Sequence, residues 1–213
     1  MAERTTVHLL RHGEVHNPTG VLYGRIPDFH LSELGRTMAQ RAADALADRD
    51  VTVVTASPLE RAQETAEPVA ESHGLAVGTD PDLIEADNVF EGQRVGGGEG
   101  VLKNPRAWRY LVNPFTPSWG EPYVDLAARM RLAIGRARDE ARGHEAVLVS
   151  HQLPVWVARL DAEGRRFPHD PRKRQCSLAS LTSMHFDDDE LVAVVYTEPS
   201  ADLLAQASKS AGA

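Results

Sequence analysis

The chain has 213 residues, of which 42% are hydrophobic and 25% are charged, a composition typical of a globular protein in water. Its formal net charge of -8 argues against nonspecific binding to nucleic acid, which depends on an excess of lysine and arginine. No apolar run is long enough to cross a membrane, and the charged N-terminus lacks the apolar core of a signal peptide, so we expect no membrane association.

The first predicted strand covers Thr6–Leu10, where β-branched and aliphatic residues predominate. It ends in the run Arg11–Glu14, which reads RHGE and places a cation, an imidazole, a glycine and a carboxylate in succession. Side chains of adjacent strand residues point to opposite faces, so Arg11 and His12 can lie close together only where the strand stops. A helix is predicted next, over Ser32–Asp48, because apolar residues recur there at helical spacing.

A second strand and helix follow in the same order. Val51–Thr55 is predicted as a buried strand, and the stretch SPLERAQETAEPVAESHG after it is predicted as a helix. Ser57 is expected to be the N-cap of this helix, with Glu60 completing a capping box. Pro68 is expected to kink or divide the helix, and Gly74 to end it.

The rest of the chain predicts a third unit and a terminal hairpin. Pro122–Ser150 contains a helix, a stop at Gly143 and the strand AVLVS, and another helix is expected over Pro154–Leu160. The hairpin strands are predicted at Ser177–Phe186 and Glu190–Thr197. Strands that alternate with helices predict a single-domain α/β fold, with a mostly parallel central sheet and helices on both faces.

One segment, Phe90–Trp119, has no sustained period and is rich in glycine, proline and aromatic residues. An irregular segment of this length is typical of a lid or a substrate-binding loop. We expect the domain to cover residues 1–198 and to contain this segment at about residues 90–119. The remaining residues, 199–213, end in small and polar side chains and are expected to form a flexible tail.

Polar side chains with related chemistry follow the strands of the three repeated units. They are Arg11, His12, Arg61 and His151. Ligands of open α/β sheets bind beyond the carboxyl ends of the strands, so we expect these side chains to converge. Their shared chemistry indicates an anion, and phosphate is favoured because guanidinium groups match its oxygens. Arg61 also lies in the first turn of its helix, where the helix dipole favours an anion.

The motifs LLRHGEVHN, ASPLERAQETA, LIEADNVFEG, GEP and VLVSHQ together resemble the histidine phosphatase superfamily, also called the phosphoglycerate mutase-like superfamily. The resemblance extends from about Val7 to Tyr196, which is nearly the whole chain. RHGE followed by SPLxRAxxTA is the specific part of the match. The resemblance implies a phosphoglycerate mutase-like fold and chemistry through a phosphohistidine.

The resemblance also implies roles for individual residues. It makes His12 the nucleophile, Glu85 the proton donor to the leaving oxygen, and three further side chains the clamp on the phosphoryl oxygens. The implied catalytic set is His12, Arg11, Arg61, Glu85 and His151. The implied phosphate-binding or substrate-binding residues are Gly13, Asn17 and Gln152.

The carboxylate assignment has rivals, because Asp87, Glu91 and Glu121 lie in or near the same motifs as Glu85. Each rival is expected to be a solvated or capping carboxylate. The remaining histidines show no metal-ligand spacing, so we expect neither a metal nor a cofactor. Cys176 is the single cysteine, which rules out an intramolecular disulfide and favours a reducing, cytoplasmic location. No activating base stands beside Cys176, so it is expected to be a buried, inert thiol.

The sequence departs from the family pattern at several positions, including the segment after Glu85, which lacks the family's usual glycine and tryptophan and is one residue short before EG. Val15 stands where the family often has serine or threonine, Gln152 replaces a glycine, and Pro122 stands where GES has serine. These changes leave the nucleophile and its charged neighbours in place. They bear on the identity of the substrate rather than on the chemistry.

Three functions remain open from the sequence. The leading interpretation is a cofactor-independent phosphatase acting on a small phosphorylated substrate. A phosphoglycerate mutase would use the same histidine, and a non-catalytic member would bind a phosphorylated ligand or a protein. The sequence is also compatible with a homodimer.

A basic cluster could reach a second anionic group of the substrate, although most such clusters are solvated. Its members are Arg165, Arg166, Arg172, Lys173 and Arg174.

Overall fold

The computed structural model describes residues 3–93 and 120–208, so most of the irregular segment expected at 90–119 lies outside the described residues. The strands are β1 (Arg4–Arg11), β2 (Val51–Ala56), β3 (Gly78–Thr79), β4 (Glu145–Ser150), β5 (Leu181–Asp187) and β6 (Glu190–Thr197). The helices are α1 (Glu33–Leu46), α2 (Glu60–Ser72), α3 (Tyr123–Glu140) and α4 (Gln152–Ala162). Short 3₁₀ turns occur at Pro81–Leu83 and Pro171–Lys173.

The six strands form one sheet in the order β3-β2-β4-β1-β5-β6. The pairs β3–β2, β2–β4 and β4–β1 are parallel, whereas β5 and β6 add an antiparallel hairpin at one edge. The α/β fold with a mostly parallel sheet is therefore confirmed. Because β1, β2 and β4 are parallel neighbours, their carboxyl ends lie at the same edge of the sheet.

Each face of the sheet carries its own apolar core. Alternate residues of β1 divide between the faces: Leu9 packs with Met130 of α3, and Leu10 packs with Ala42 of α1. All four side chains are fully buried. The helices α1 and α2 thus cover one face of the sheet, and α3 and α4 cover the other.

The predicted start of α2 is wrong. The helix begins at Glu60, and its N-cap residue is Leu59, whose side chain makes no capping hydrogen bond. The hydroxyl of Ser57 instead bonds the ring of His151 at 2.8 Å, so it is used in a different part of the molecule. Pro68 does not divide the helix, which continues to Ser72 despite the missing N–H of the proline.

The hairpin is shorter at its start than expected, because β5 begins at Leu181 rather than at residue 177. Ala179 has a positive φ of 51°, which an extended strand does not accommodate.

Beyond β6 the chain lies against α1, where Ser200 is buried and its hydroxyl donates to the carbonyl of Met38 at 3.4 Å. The domain limit at residue 198 and the flexibility of the tail stay predictions. In the described parts of the chain, no helix has the length and apolar character needed to cross a membrane.

Candidate active site

Backbone hydrogen bonds bring the ends of β1, β2 and β4 together. The amide of His12 donates to the carbonyl of Ser150 at 3.0 Å, and the amide of Ser57 donates to the carbonyl of Val149 at 2.9 Å. The residues that follow β1 and β2 therefore flank the end of β4, where His151 is the N-cap residue of α4. The convergence expected from the strand pattern is present in the fold.

His12 is fully buried, and one ring nitrogen is already occupied. Its Nδ1 lies 2.8 Å from the carbonyl oxygen of Gly13, which can only accept, so Nδ1 carries the proton. Burial, followed by the charges of Arg61 and Arg11, lowers the pKa of His12 well below its usual value. The ring is therefore neutral, and the lone pair lies on Nε2, which has no partner among the described residues.

His151 lies beside His12, with 5.1 Å between the ring centroids. Its Nε2 is hydrogen-bonded to the hydroxyl of Ser57, and its Nδ1 has no partner among the described residues. If the Ser57 hydroxyl donates to Nε2, the proton of the neutral ring lies on Nδ1, which becomes a donor. Burial lowers the pKa of His151 well below its usual value, with Arg61 and His12 adding to the effect.

Two arginines supply positive charge next to the histidines. Arg61 is fully buried, donates through Nη2 to the carbonyl of Gly24 at 2.5 Å, and lies 4.7 Å from the centre of the Tyr23 ring. Arg11 donates through Nη1 to the carbonyl of Cys176 at 2.7 Å. Burial lowers the pKa of Arg61, but a guanidinium is too basic to lose its proton. The site is therefore cationic although both imidazoles are neutral.

Glu85 provides a buried carboxyl group in the same region. Its side chain is 5% exposed, and its Oε1 accepts the backbone amide of Ala86 at 2.8 Å. Burial raises the pKa of Glu85, against the opposing effects of the Ala86 amide, Arg61 and Arg11. A carboxyl group with a raised pKa can retain its proton and donate it.

A pair of arginines holds the backbone of Glu85. The Nε of Arg25 donates to the Glu85 carbonyl at 2.7 Å, and the Nη2 of Arg129 approaches it at 3.4 Å. Glu121 accepts from both arginines, at 3.1 Å from Arg25 and at 2.8 and 2.9 Å from Arg129. We refer to Arg25, Arg129 and Glu121 as the arginine clamp. Sequence reasoning missed it, because its members are far apart in the chain and each looks like an ordinary surface charge.

The rival carboxylates are placed differently from Glu85. Asp87 is exposed, and Glu121 is engaged by the arginine clamp. The Oε1 of Glu91 accepts the backbone amide of Arg25 at 2.7 Å. Among these four, Glu85 is the buried one, and its Oε2 meets no hydrogen-bond partner within residues 3–93 and 120–208. The geometry therefore favours Glu85 as the carboxylate of the site.

Gly13 is packed closely against the backbone of α1, and its contact with phosphate stays a prediction. A Cβ at Gly13 would lie 2.5 Å from the carbonyl oxygen of Gly35 in α1. The amide of Gly13 donates to the hydroxyl of Thr65 at 3.1 Å, and its carbonyl accepts from His12. The residue thus fixes the orientation of the His12 ring.

The other two expected binding residues have partners of their own. The side chain of Asn17 donates to the carbonyl of Val21 at 2.8 Å and accepts its amide at 3.3 Å, closing a local loop. The Oε1 of Gln152 accepts from Nη1 of Arg174 at 3.1 Å. Direct contact of either residue with phosphate stays a prediction.

Several buried polar atoms of this site have no partner among the described residues. They are Nε of Arg11, Nε2 of His12, Nε and Nη1 of Arg61, Oε2 of Glu85 and Nδ1 of His151. Each unsatisfied buried polar atom costs about 1–3 kcal/mol, so such a concentration indicates a ligand with several acceptor atoms. Guanidinium donors, an imidazole lone pair and a protonated carboxyl group together suit the oxygens and phosphorus of a phosphoryl group.

Cys176 is buried next to this site, and burial raises the pKa of its thiol to about 11. The expected burial of this thiol is confirmed, and its lack of a catalytic role stays a prediction. Within residues 3–93 and 120–208, no group of three or more His, Cys, Asp or Glu side chains is arranged to hold a metal ion.

Comparison with known proteins decides the family. The model of the histidine phosphatase superfamily (branch 1) matches residues 7–199. The chain belongs to the histidine phosphatase superfamily. The resemblance carried by the sequence motifs is thereby confirmed, and it covers the whole α/β core together with the candidate site.

This histidine phosphatase superfamily member is similar over most of its length to three known proteins. The protein named Uncharacterized protein Rv0525, from Mycobacterium tuberculosis (strain ATCC 25618 / H37Rv), is 63% identical over 201 residues, covering 94% of this chain and 100% of the relative. A probable phosphoglycerate mutase, GpmB of Yersinia enterocolitica, is 30% identical over 184 residues, covering 82% of this chain and 83% of the relative. The solved mycobacterial glucosyl-3-phosphoglycerate phosphatase Rv2419c has a TM-score of 0.67 and 25% identity, covering 92% of this chain and 98% of that chain.

Proposed function

We propose that the protein is a phosphatase that hydrolyses a small phosphomonoester through a phosphohistidine at His12. The observation that carries the proposal is that Nε2 of His12 has no hydrogen-bond partner in the part of the chain that the structure describes. Its ring is neutral, its Nδ1 is tied to the carbonyl of Gly13, and the cations Arg11 and Arg61 are its electrostatic neighbours. A lone pair fixed beside fixed positive charge is what attack on a phosphoryl group requires.

In the first step, Nε2 of His12 attacks phosphorus and the bond from phosphorus to the leaving oxygen breaks. Glu85, whose pKa is raised by burial, gives its proton to that oxygen, so the leaving group departs as an alcohol. Arg11, Arg61 and the Nδ1 proton of His151 stabilise the charge on the three nonbridging oxygens in the transition state. The products of the step are the alcohol, an ionised Glu85 and a phosphohistidine.

In the second step, water hydrolyses the phosphohistidine. The carboxylate of Glu85 takes a proton from the water as its oxygen attacks phosphorus. The phosphorus–nitrogen bond breaks, and its electron pair returns to Nε2 of His12. Inorganic phosphate is released, and Glu85 is protonated again for the next turnover.

The relatives support phosphoryl chemistry and leave one competing reaction. The glucosyl-3-phosphoglycerate phosphatase supports hydrolysis, whereas the probable phosphoglycerate mutase supports return of the phosphoryl group to a bound acceptor. Both reactions use the same histidine and arginines. They differ in whether water reaches the phosphohistidine before the acceptor does.

One experiment separates the two reactions. The protein is incubated with 3-phosphoglycerate and a catalytic amount of 2,3-bisphosphoglycerate, and 2-phosphoglycerate and inorganic phosphate are followed together. p-Nitrophenyl phosphate is assayed in the same buffer. We expect phosphate release to dominate with both substrates. Isomerisation that is faster than phosphate release by orders of magnitude would show that the protein is a mutase rather than a phosphatase. The absence of a reaction with any phosphomonoester would favour a non-catalytic protein.

A further inference from the structure

We propose that the cavity beside Glu85 takes a leaving group that carries an anionic substituent, and that Arg174 recognises this substituent. The inference rests on the proposed function, because it places the leaving oxygen at Glu85. It names a class of substrate, phosphomonoesters of small acidic alcohols, and a residue that determines specificity for them.

The cavity has a volume of about 140 Å³, and Glu85 and Arg174 both line it. A leaving group whose oxygen accepts a proton from Glu85 extends into this space. Drug-sized ligands occupy roughly 300–1,000 Å³, so the volume suits a leaving group of only a few heavy atoms. Apolar contact comes from the side chains of Leu22, Tyr123 and Leu153.

Arg174 is held in place by a chain of hydrogen bonds. Its Nε donates to Nε2 of His169 at 2.8 Å, and its Nη1 donates to Gln152. The Nδ1 of His169 donates to the carbonyl of Phe167 at 2.5 Å, so the neutral ring presents its lone pair to Arg174. The His169 ring also packs against Tyr123, with 5.9 Å between the centroids. The guanidinium is thereby oriented before any substrate binds.

Arg174 has no directly paired carboxylate among the described residues. It is half-buried, and it makes no salt bridge with any carboxylate of the described residues. Its neighbour Arg172 is different, because that side chain is 88% exposed and pairs with Asp170 at 2.8 Å. A partly buried cation without a paired carboxylate is costly unless another anion approaches it. The basic cluster predicted from the sequence is thus divided, and Arg174 is its member that faces the cavity.

The carboxylates around the cavity do not supply that anion. Glu121 is already bound by two arginines, and Asp87 is exposed to solvent. Glu85 is electrostatically coupled to Arg174, but burial favours its neutral form. If Arg174 served only to adjust Glu85, its loss would affect all substrates alike. Recognition of the leaving group would instead affect acidic substrates selectively.

The test compares 3-phosphoglycerate with sn-glycerol 3-phosphate, which have a carboxylate and a hydroxymethyl group at the same position. We expect the wild type to favour 3-phosphoglycerate in kcat/KM. In Arg174→Gln this preference should fall by about 10- to 100-fold, the range for losing hydrogen bonds to a charged group. The control Arg172→Gln removes a neighbouring cation and should leave the preference unchanged.

A second variant protects the test against misfolding. Arg174→Lys keeps the charge but loses the hydrogen-bonded guanidinium, and it should retain part of the preference for 3-phosphoglycerate. Thermal melts of both variants check that they are folded. Equal kcat/KM for the two substrates in the wild type, or an unchanged preference in Arg174→Gln, would overturn the inference. The proposed phosphatase function would still be supported in that case if the protein hydrolyses p-nitrophenyl phosphate. If the wild type hydrolyses no phosphomonoester, the proposed function fails and the inference falls with it.

Discussion

Glu121 accepts hydrogen bonds from Arg129 through both of its carboxylate oxygens, at 2.8 and 2.9 Å. Arg129 in turn approaches the backbone carbonyl of Glu85, and Arg25 donates to the same carbonyl. The pair therefore anchors the segment that presents the candidate proton donor. Glu121 and Arg129 act on the reaction through Glu85 rather than on the phosphoryl group.

This relationship predicts a selective loss in Glu121→Gln. The displaced Glu85 should lower kcat for an alkyl phosphate by roughly 10- to 100-fold, because a proton donor that is misplaced by about 1 Å loses most of its effect. The loss with p-nitrophenyl phosphate should be smaller, because its leaving group needs no proton. Asp161→Asn, which breaks the corresponding pair with Arg131, is the control. Equal losses with both substrates would indicate general damage to the fold instead.

The pH dependence of kcat/KM should be bell-shaped. Because the pKa of His12 is lowered, the neutral nucleophile persists as the pH falls through the usual histidine range, and activity is lost only below that range. Because the pKa of Glu85 is raised, activity persists above the usual range of a carboxyl group and is lost when Glu85 ionises. Glu85→Gln should remove the alkaline limb and slow alkyl phosphates more than p-nitrophenyl phosphate. An unchanged alkaline limb in that variant would assign the proton donor to another group.

Arg61→Ala should reduce kcat/KM by on the order of 10²–10³, as expected for one transition-state donor. Its guanidinium is buried and retains two nitrogens without a partner among the described residues. Arg41→Ala is the matched control, because that side chain is half-exposed and its ion pair with Asp202 is long, at 3.9 Å. Steady-state kinetics on one phosphomonoester suffice for the comparison. Equal small losses would mean that Arg61 has no role in the reaction.

Gly35→Ala should destabilise the protein and lower its activity together. A Cβ at Gly35 would lie 2.0 Å from the carbonyl oxygen of Glu14, so the loop that carries His12 would have to move. We expect a loss of about 1–3 kcal/mol in the free energy of unfolding in urea. Gly135→Ala on α3 meets no atom of the described residues within 4 Å and should be neutral or stabilising by up to about 1 kcal/mol. Similar stabilities for the two variants would contradict the packing.

The grouping of the candidate site could be predicted from the sequence because it follows from sheet topology. His12 and His151 each come directly after a buried strand, and Arg61 lies in the first turn of a helix that follows another. Parallel strands place such residues at one edge whatever the details of packing. Glu85 was different, since no strand end marks it and only the family resemblance singled it out.

The sequence pattern predicts the wrong role for Ser57, and the reason is structural. A serine between a strand and a helix satisfies the pattern of an N-cap, and the same position also brings its hydroxyl to the carboxyl end of the neighbouring strand. The helix starts later, at Glu60, and the hydroxyl bonds His151. Local sequence could not decide between the two uses, because His151 is 94 residues away along the chain.

The arginines that orient Glu85 and face its cavity could not be identified from the sequence. Arg25, Arg129 and Arg174 resemble solvated charges, and nothing nearby in the chain distinguishes Arg174 from Arg172. Their partners are set by tertiary contacts, such as the 60 residues that separate Arg25 from Glu85. The irregular segment expected to cover the site lies largely outside the described residues, so its role stays a prediction.

The most direct test of this account is the chemical identity of the phosphorylated intermediate. The protein is mixed with labelled substrate, quenched within one turnover and digested, and the label is mapped by mass spectrometry. Because Nδ1 of His12 is held by the carbonyl of Gly13, the account predicts a phosphoryl group on Nε2 of His12, stable to alkali and lost in acid. His12→Ala should abolish the label. An acid-stable label on a serine, or a label on another histidine or on Cys176, would contradict the account.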